Sequence, residues 1–187
     1  MVLSLLVPPA APPVTLADAK AHLRVTHDGE DTQIAELVDA AAAFVAEDAG
    51  VALVNQTWRL SVGDPPDGPV CLPRHPVAAI AAVTVYDADG NPAVLDGAQY
   101  TLDVMRRPAR LGLEPGAVPS RSNGIEIDFV AGFGDTGADV PDTLRRAVLC
   151  LLAHWYEFRG VYSARDQPVS VPMIYARLTR SWRRIGV

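Results

Sequence analysis

Apolar positions follow a helical period near both ends of the chain and a period of two in the middle. Near the start, the segment Thr15–Asp18 has the form of a capping box and opens a short helix that we expect to end near Arg24. A longer helix follows, with apolar residues at helical spacing from Ile34 to Val45 and Gly50 at its end. These segments predict a pair of helices.

The middle of the chain changes to an alternating pattern. From Gln56 to Val62, apolar and polar residues take turns, as in a strand with one buried face. Four more segments show the same pattern, and sequences rich in Asp, Gly, Asn, Ser and Pro separate them. They cover about residues 79–86, 99–104, 110–113 and 124–130. Residues 51–140 are therefore predicted to form a β-rich insertion.

The helical period returns at Pro141 and continues to about Arg159. A final helix is predicted from about residue 173 to residue 185, with apolar and cationic side chains on opposite sides. The apolar side holds Ile174, Leu178, Trp182 and Ile185, and the cationic side holds Arg177, Arg180, Arg183 and Arg184.

Together these elements predict an α+β fold that is mainly α, a helical bundle with a β-rich insertion between the second and third helices. Residues 1–14 form an extended leader, and residues 15–50 and 141–187 form the bundle. The last helix, at about 173–185, is the element that we expect to dock on a partner.

Composition and charge narrow the classes of protein. The 187 residues are 49% hydrophobic and 20% charged, which is typical of one globular domain. The apolar start of the chain stops at Pro8, so we expect neither a signal peptide nor a membrane span. Residues 1–140 carry eight Lys and Arg against 19 acids, whereas residues 141–187 carry eight Arg against three acids. An acidic body therefore ends in a cationic tail.

The motifs that resemble catalytic or ligand sites have structural explanations. The glycine-rich segment Gly132–Gly137 fits a dinucleotide fingerprint, but Pro141 delays the following helix too far to face a phosphate. The segment Asp87–Asn91 lacks the later glycine and glutamate of a calcium loop and predicts a hairpin turn. Cys71 and Cys150 are expected to be buried, unreactive free thiols, and the four histidines lack metal-ligand spacing. We expect no catalytic, cofactor or metal site, and a protein that is not an enzyme.

Two hypotheses remain for the cationic tail. An apolar stripe with Trp182 beside four arginines favours docking into a groove on another protein, since Arg and Trp are common at the centres of protein interfaces. The alternative is a nucleic-acid-binding module that uses the same arginines on phosphates.

The order of the segments resembles the head-tail connector, or adaptor, proteins of tailed bacteriophages and of phage-derived gene transfer agents. The similarity spans nearly the whole chain. The matching segments are Leu16–Val25, Asp31, Ala40–Phe44, Gln56–Trp58, Val83–Asp87, Asp89–Gly90, Ala131–Gly134, Val140–Pro141 and Ala147–Arg159.

This resemblance implies a structural protein of the head-tail interface of a virion or phage-like particle, assembled in the host cytoplasm. Its expected partners are the portal protein, neighbouring connector subunits in a ring on the dodecameric portal, and a tail or stopper protein. DNA would pass through the ring without specific binding. The C-terminal segment would bind the portal, with Arg177, Leu178, Arg180, Trp182, Arg183, Arg184 and Ile185 as contact residues.

Overall fold

The computed structural model describes residues 1–63, 68–119, 122–158 and 171–183. Four α-helices lie in this part of the chain: α1 Leu16–Leu23, α2 Asp31–Ala49, α3 Asp142–Glu157 and α4 Met173–Thr179. Its eight strands are β1 Val2–Val7, β2 Gln56–Val62, β3 Val70–Leu72, β4 Val77–Asp87, β5 Pro92–Val94, β6 Tyr100–Asp103, β7 Ala109–Leu113 and β8 Ser122–Ala131. Two short 3-10 helices, Gly97–Gln99 and Gly137–Asp139, complete the regular structure of the described residues. None of the helices in those residues is long and apolar enough to cross a membrane.

The chain divides into two compact units. The first, called the sheet unit, contains Met1–Ala10 and Asn55–Phe133, and the second, called the helical unit, contains Ala11–Val54 and Gly134–Val187. The first strand of the chain thus belongs to the same unit as the later strands.

The larger sheet of the sheet unit is antiparallel, with strand order β1-β2-β8-β4-β5. Strand β8 lies at its centre, and there Ile127 is paired with Leu60 of β2 on one side and Val83 of β4 on the other. All three side chains are buried. This row shows how the alternating pattern of the sequence produces a core, since every second residue of each strand points to the same face.

A smaller antiparallel sheet has the order β3-β7-β6. Leu111 of β7 is opposite Val70 on one neighbouring strand and opposite Leu102 on the other. Val70 and Leu111 are fully buried. The smaller sheet therefore also contributes one apolar face to the core of this unit.

In the helical unit, the predicted start of α1 and the predicted end of α2 are confirmed. The Thr15 side chain accepts a hydrogen bond from the backbone N–H of Asp18, as expected for the N-cap of α1. Helix α2 ends at Gly50, whose φ of 65° lies in the left-handed region that favours glycine. Helices α2 and α3 pack against one another, and each buries one apolar stripe, of which Ile34 and Leu151 are fully buried members.

The prediction of a mainly α fold is wrong. The described residues are 34% helix and 31% strand, so the fold is a mixed α+β fold with four helices and two antiparallel sheets. The sequence pattern predicted β2, β4, β6, β7 and β8 but missed three strands, β1, β3 and β5. Two of the missed strands have three residues each, too short for an alternating pattern to be recognised. The last helix is also shorter than predicted, because α4 ends at Thr179.

Candidate functional site

The C-terminal segment from Met173 to Arg183 is the candidate docking segment. It begins with helix α4, preceded by Pro172 at the N-cap position, and continues as turns to Arg183. Proline suits a helix start because its fixed φ is compatible with the first turn and its missing N–H is not needed there. Two predicted contact residues, Arg184 and Ile185, lie outside the described residues.

The side of α4 that is buried within the helical unit is not the apolar stripe that we expect to dock on a partner. Tyr175 and Thr179, one turn apart, are both fully buried, and the Thr179 hydroxyl donates to the Tyr175 carbonyl oxygen at 3.2 Å. Ile174, which we expected in the apolar stripe, is 56% exposed, and the neighbouring Met173 is 83% exposed. Leu178 and Trp182 are half-buried. The residues that α4 buries within the helical unit are thus offset by one position from the apolar stripe, so Ile174 remains exposed.

The carboxylate of Asp48, in the last turn of α2, fastens this segment to the helical unit. The Tyr175 hydroxyl donates to Asp48 Oδ2 at 2.7 Å, and Arg183 donates to the same oxygen from Nε at 2.9 Å and from Nη2 at 2.7 Å. The Arg183 guanidinium carbon also lies 5.8 Å from the centre of the Tyr175 ring. We call these three residues the Asp48 clasp. Burial, followed by the hydrogen bond to Asp48, raises the pKa of Tyr175 above its ordinary value. The hydrogen bond to Asp48 raises the pKa of Arg183.

Aromatic packing supports the clasp. The Phe44 ring meets the Trp155 ring edge to face at a centroid distance of 5.9 Å and the Tyr175 ring at 5.8 Å. Both distances fall in the range in which aromatic pairs attract beyond simple area burial. Farther along, the Trp182 indole N–H donates to the Thr143 hydroxyl, near the start of α3, at 3.1 Å. Side-chain contacts thus join the C-terminal segment to α2 and α3.

The predicted contact residues therefore fall into two groups. Trp182 and Arg183 have partners within the helical unit, whereas Arg177 and Arg180 are exposed and form no ion pair with any described residue. The sequence missed three residues that hold the segment, Asp48, Thr143 and Tyr175, because they come from three separate helices. The one local signal was the spacing of Tyr175 and Thr179, which places both on one side of a helix.

A second group of ionisable side chains lies on the larger sheet. Arg59 donates to both carboxylate oxygens of Asp128, at 2.7 and 2.8 Å, and lies 3.1 Å from Glu126. The Tyr86 hydroxyl donates to Glu126 at 2.9 Å. The hydrogen bond to Asp128 raises the pKa of Arg59, and the hydrogen bond to Glu126 raises the pKa of Tyr86. These charges face one another across adjacent strands, an arrangement that ties β2, β8 and β4 together.

The motifs tested in the sequence have structural roles. In the glycine-rich segment, a Cβ on Gly134 would lie 2.4 Å from the Asp139 side chain, and one on Gly137 would lie 2.7 Å from the Pro13 carbonyl oxygen. A three-residue 3-10 helix starts at Gly137, but α3 begins only at Asp142, so the N-terminus of the α-helix does not lie within the glycine run. The Asp87 carboxylate accepts hydrogen bonds from the backbone N–H groups of residues 89 and 91, which confirms the hairpin turn.

The remaining candidate ligands do not form a metal site in the part of the chain that the structure describes. No group of three or more His, Cys, Asp or Glu side chains there is arranged to hold a metal ion. Cys71 and Cys150 are both free thiols, but the prediction that they are buried is wrong for Cys71, which is exposed; Cys150 is half-buried, and burial raises the pKa of its thiol.

Comparisons with known proteins agree with the family resemblance that the order of motifs indicates. Residues 13–91 match the model of the family described as phage gp6-like head-tail connector protein. The whole chain matches a chain in the neck of an empty gene transfer agent particle computed with C6 symmetry, at 27% identity, 97% coverage of that chain and a TM-score of 0.83. The resemblance to head-tail connector proteins is confirmed.

Two further structures of gene transfer agents agree with this result. A chain of the native virion matches at 26% identity with a TM-score of 0.81, and a chain of the native neck computed with C12 symmetry matches at 26% identity with a TM-score of 0.80. In each case the match covers all of this chain and 97% of the other. No curated protein matches the chain. The similarity to chains of gene transfer agent particles thus extends over both units, whereas the family model covers residues 13–91.

Proposed function

We propose that this protein is a structural head-tail connector that forms a ring at the portal vertex of a phage-like particle. The observation that carries the proposal is the match over the whole chain to chains from particle necks with sixfold and twelvefold symmetry. In this role the protein lies at the head-tail interface, provides a passage for DNA and offers a platform for the tail or a stopper protein. Its work is mechanical rather than catalytic.

The portal contact is proposed to lie on the C-terminal segment. Arg177 and Arg180 are exposed cations beside the exposed apolar side chains of Met173 and Ile174. An acidic groove with an apolar floor on the portal would match this surface, because charge pairs direct the approach and apolar burial supplies affinity. Leu178 is half-buried at the edge of this surface. Arg184 and Ile185 remain proposed contacts as well.

The clasp gives Trp182 and Arg183 a second role in the proposal. Since Trp182 has its partner on α3 and Arg183 has its partner on α2, the two side chains hold the C-terminal segment against these helices. A segment held in one orientation loses less conformational entropy on binding than a free tail does. Substitutions at these two residues would therefore disturb portal binding indirectly, through the position of Arg177 and Arg180.

Charge reversal at the two exposed arginines tests this contact. The double substitution Arg177→Glu with Arg180→Glu should weaken binding to purified portal rings at least about tenfold, since each contact of this kind is worth about 1 kcal/mol or more. Arg146→Glu is the matched control, because Arg146 is an exposed arginine on α3 without an ion-pair partner among the described residues. It should leave portal affinity unchanged.

Point substitutions are preferable to deletion of the segment. Removing residues 173–187 would also remove the fully buried Tyr175 and expose the α2 and α3 surfaces that it covers. Equal portal binding by the charge-reversed protein and the control would refute the proposed contact.

The passage for DNA is proposed from the charge of the body. The chain carries a net charge of −6, and residues 1–140 alone hold 19 acids against eight Lys and Arg. A negative wall lets a polyanion slide without being held. The competing hypothesis, a nucleic-acid-binding module, predicts tight duplex binding that falls steeply with salt. Titration of duplex DNA at two salt concentrations separates the two, and strong salt-dependent binding that requires Arg177 and Arg180 would favour the competitor.

A further inference from the structure

Strand β1 forms an apolar edge of the larger sheet. It pairs with β2 along one side and is the last strand of the sheet order on the other. Val2, Leu5, Leu6 and Val7 are between 43% and 67% exposed. An apolar edge strand presents unpaired backbone N–H and C=O groups and apolar side chains to other chains, and natural proteins rarely leave such an edge uncovered.

The opposite edge of the same sheet is protected. Strand β5 has three residues and begins with Pro92, which has no backbone N–H to offer a further strand. A short edge with proline is one of the known devices that prevent sheets from joining. Strand β1 is twice as long, has neither a proline nor a charged residue within Val2–Val7, and deviates from a regular edge only by a register shift between Leu5 and Val7. The contrast between the two edges indicates that β1 is the edge that receives a partner.

A second exposed apolar patch of the sheet unit lies in a loop. The loop between β6 and β7 presents Val104 at 51% exposure and Met105 at 93% exposure. Arg106 and Arg107 follow directly and are exposed too. The patch thus consists of two exposed apolar side chains beside Arg107 and the ion pair of Arg106 with Asp103, on a chain whose net charge is −6.

We propose that β1 of one copy is covered by the β6–β7 loop of the neighbouring copy in the ring. The inference rests on the proposed ring. A closed ring of more than two identical subunits needs two different surfaces, one on each side of every subunit. The apolar edge strand and the exposed β6–β7 loop are two such different surfaces.

Electrostatics favour another copy of this chain as the occupant. Two copies with a net charge of −6 repel one another, so their contact is best made where acids are absent. Strand β1 has no charged residue, and residues 103–107 hold two arginines against one acid, Asp103, which is 3.1 Å from Arg106, so neither surface is acidic. The burial of Met105 and the strand side chains then supplies the apolar part of the contact.

Thiol cross-linking tests the pairing of the two surfaces. In a full-length background with Cys71→Ser and Cys150→Ala, we introduce Leu6→Cys and Met105→Cys together or singly and add a short bifunctional thiol reagent. The double variant should give a ladder of dimers, trimers and larger species, whether concentrated alone or bound to the portal. Each single variant should stay monomeric on a denaturing gel, because the contact joins two different surfaces. Dimers from Leu6→Cys alone would show that β1 pairs with itself and would overturn the inference.

Portal binding is measured on the same samples, so that the two proposals can fail separately. Portal binding without a ladder overturns the pairing of β1 with the loop and leaves the connector proposal standing. A ladder without portal binding supports the pairing and refutes the portal contact. As a second variant, Met105→Asp should weaken self-association in sedimentation at least about tenfold, as expected for the loss of one buried Met side chain. Val94→Asp, on the exposed β5 edge, is the control and should have no effect, and equal effects of the two would contradict the inference.

Discussion

The Asp48 clasp makes a quantitative prediction for the substitution Tyr175→Phe. Phenylalanine keeps the ring in contact with Phe44 and leaves no cavity, so the change removes only the hydroxyl that donates to Asp48 at 2.7 Å. A hydrogen bond to a charged group contributes about 1.5–3 kcal/mol to stability. Asp48 keeps its two hydrogen bonds from Arg183, so the carboxylate is not left unpaired. We therefore expect a loss near the lower end, about 1.5 kcal/mol of the free energy of unfolding.

Urea titration followed by far-ultraviolet circular dichroism measures this loss. Tyr100→Phe is the control, because Tyr100 is half-exposed in the sheet unit and its hydroxyl has no hydrogen-bond partner among the described residues. Its effect should stay within about 0.5 kcal/mol. In an Asp48→Ala background the effect of Tyr175→Phe should shrink, because the acceptor is gone. An equal loss in both backgrounds would show that the hydroxyl stabilises the protein by another route.

Two further predictions concern pH and packing. The pKa of Tyr175 is raised above 10.0, so its hydrogen bond to Asp48 contributes fully to stability below about pH 10, and this contribution is lost as the pH rises further. Denaturation curves of Tyr175→Phe should therefore show a smaller fall in stability than the unsubstituted protein between about pH 10 and pH 12. An unchanged fall would show that ionisation of Tyr175 does not cause it. Gly137→Ala should cost about 1–3 kcal/mol in urea titrations, because its Cβ would lie 2.7 Å from the Pro13 carbonyl oxygen. Gly97→Ala, at the start of the other 3-10 helix, meets open space and should be nearly neutral, so similar costs at both glycines would refute the packing explanation.

The elements with a long regular pattern were predictable from the sequence. Helix α2 ends at its glycine as expected, and β2 occupies the predicted residues Gln56–Val62. Strand β1 was not predictable in the same way, because its residues Val2–Val7 are almost all apolar and show no alternation. Its structure depends on pairing with β2, some fifty residues later, and local pattern carries no information about such a partner. Missing such strands is what made the fold look mainly helical.

The candidate site was predictable in its charge but not in its contacts. The arginines of the tail stand out by composition, and the three in the C-terminal segment that the structure describes, Arg177, Arg180 and Arg183, are exposed. Asp48, the partner of Arg183, lies 135 positions earlier in the sequence. The pair forms only because α2 packs against the C-terminal segment, so the sequence pattern could not predict it. The apolar pattern also did not predict the burial of Tyr175. A tyrosine can be fully buried when its hydroxyl donates a hydrogen bond, here to the carboxylate of Asp48.

The position of this chain in an assembled particle tests the central claim most directly. A reconstruction of particles bound to tagged copies of the protein, without imposed symmetry, would show where the copies lie. The connector account predicts a closed ring of this chain against the portal, on the side that faces the tail, with the segment that carries Arg177 and Arg180 touching portal density. Copies found elsewhere in the particle, or a neck without this chain, would contradict it.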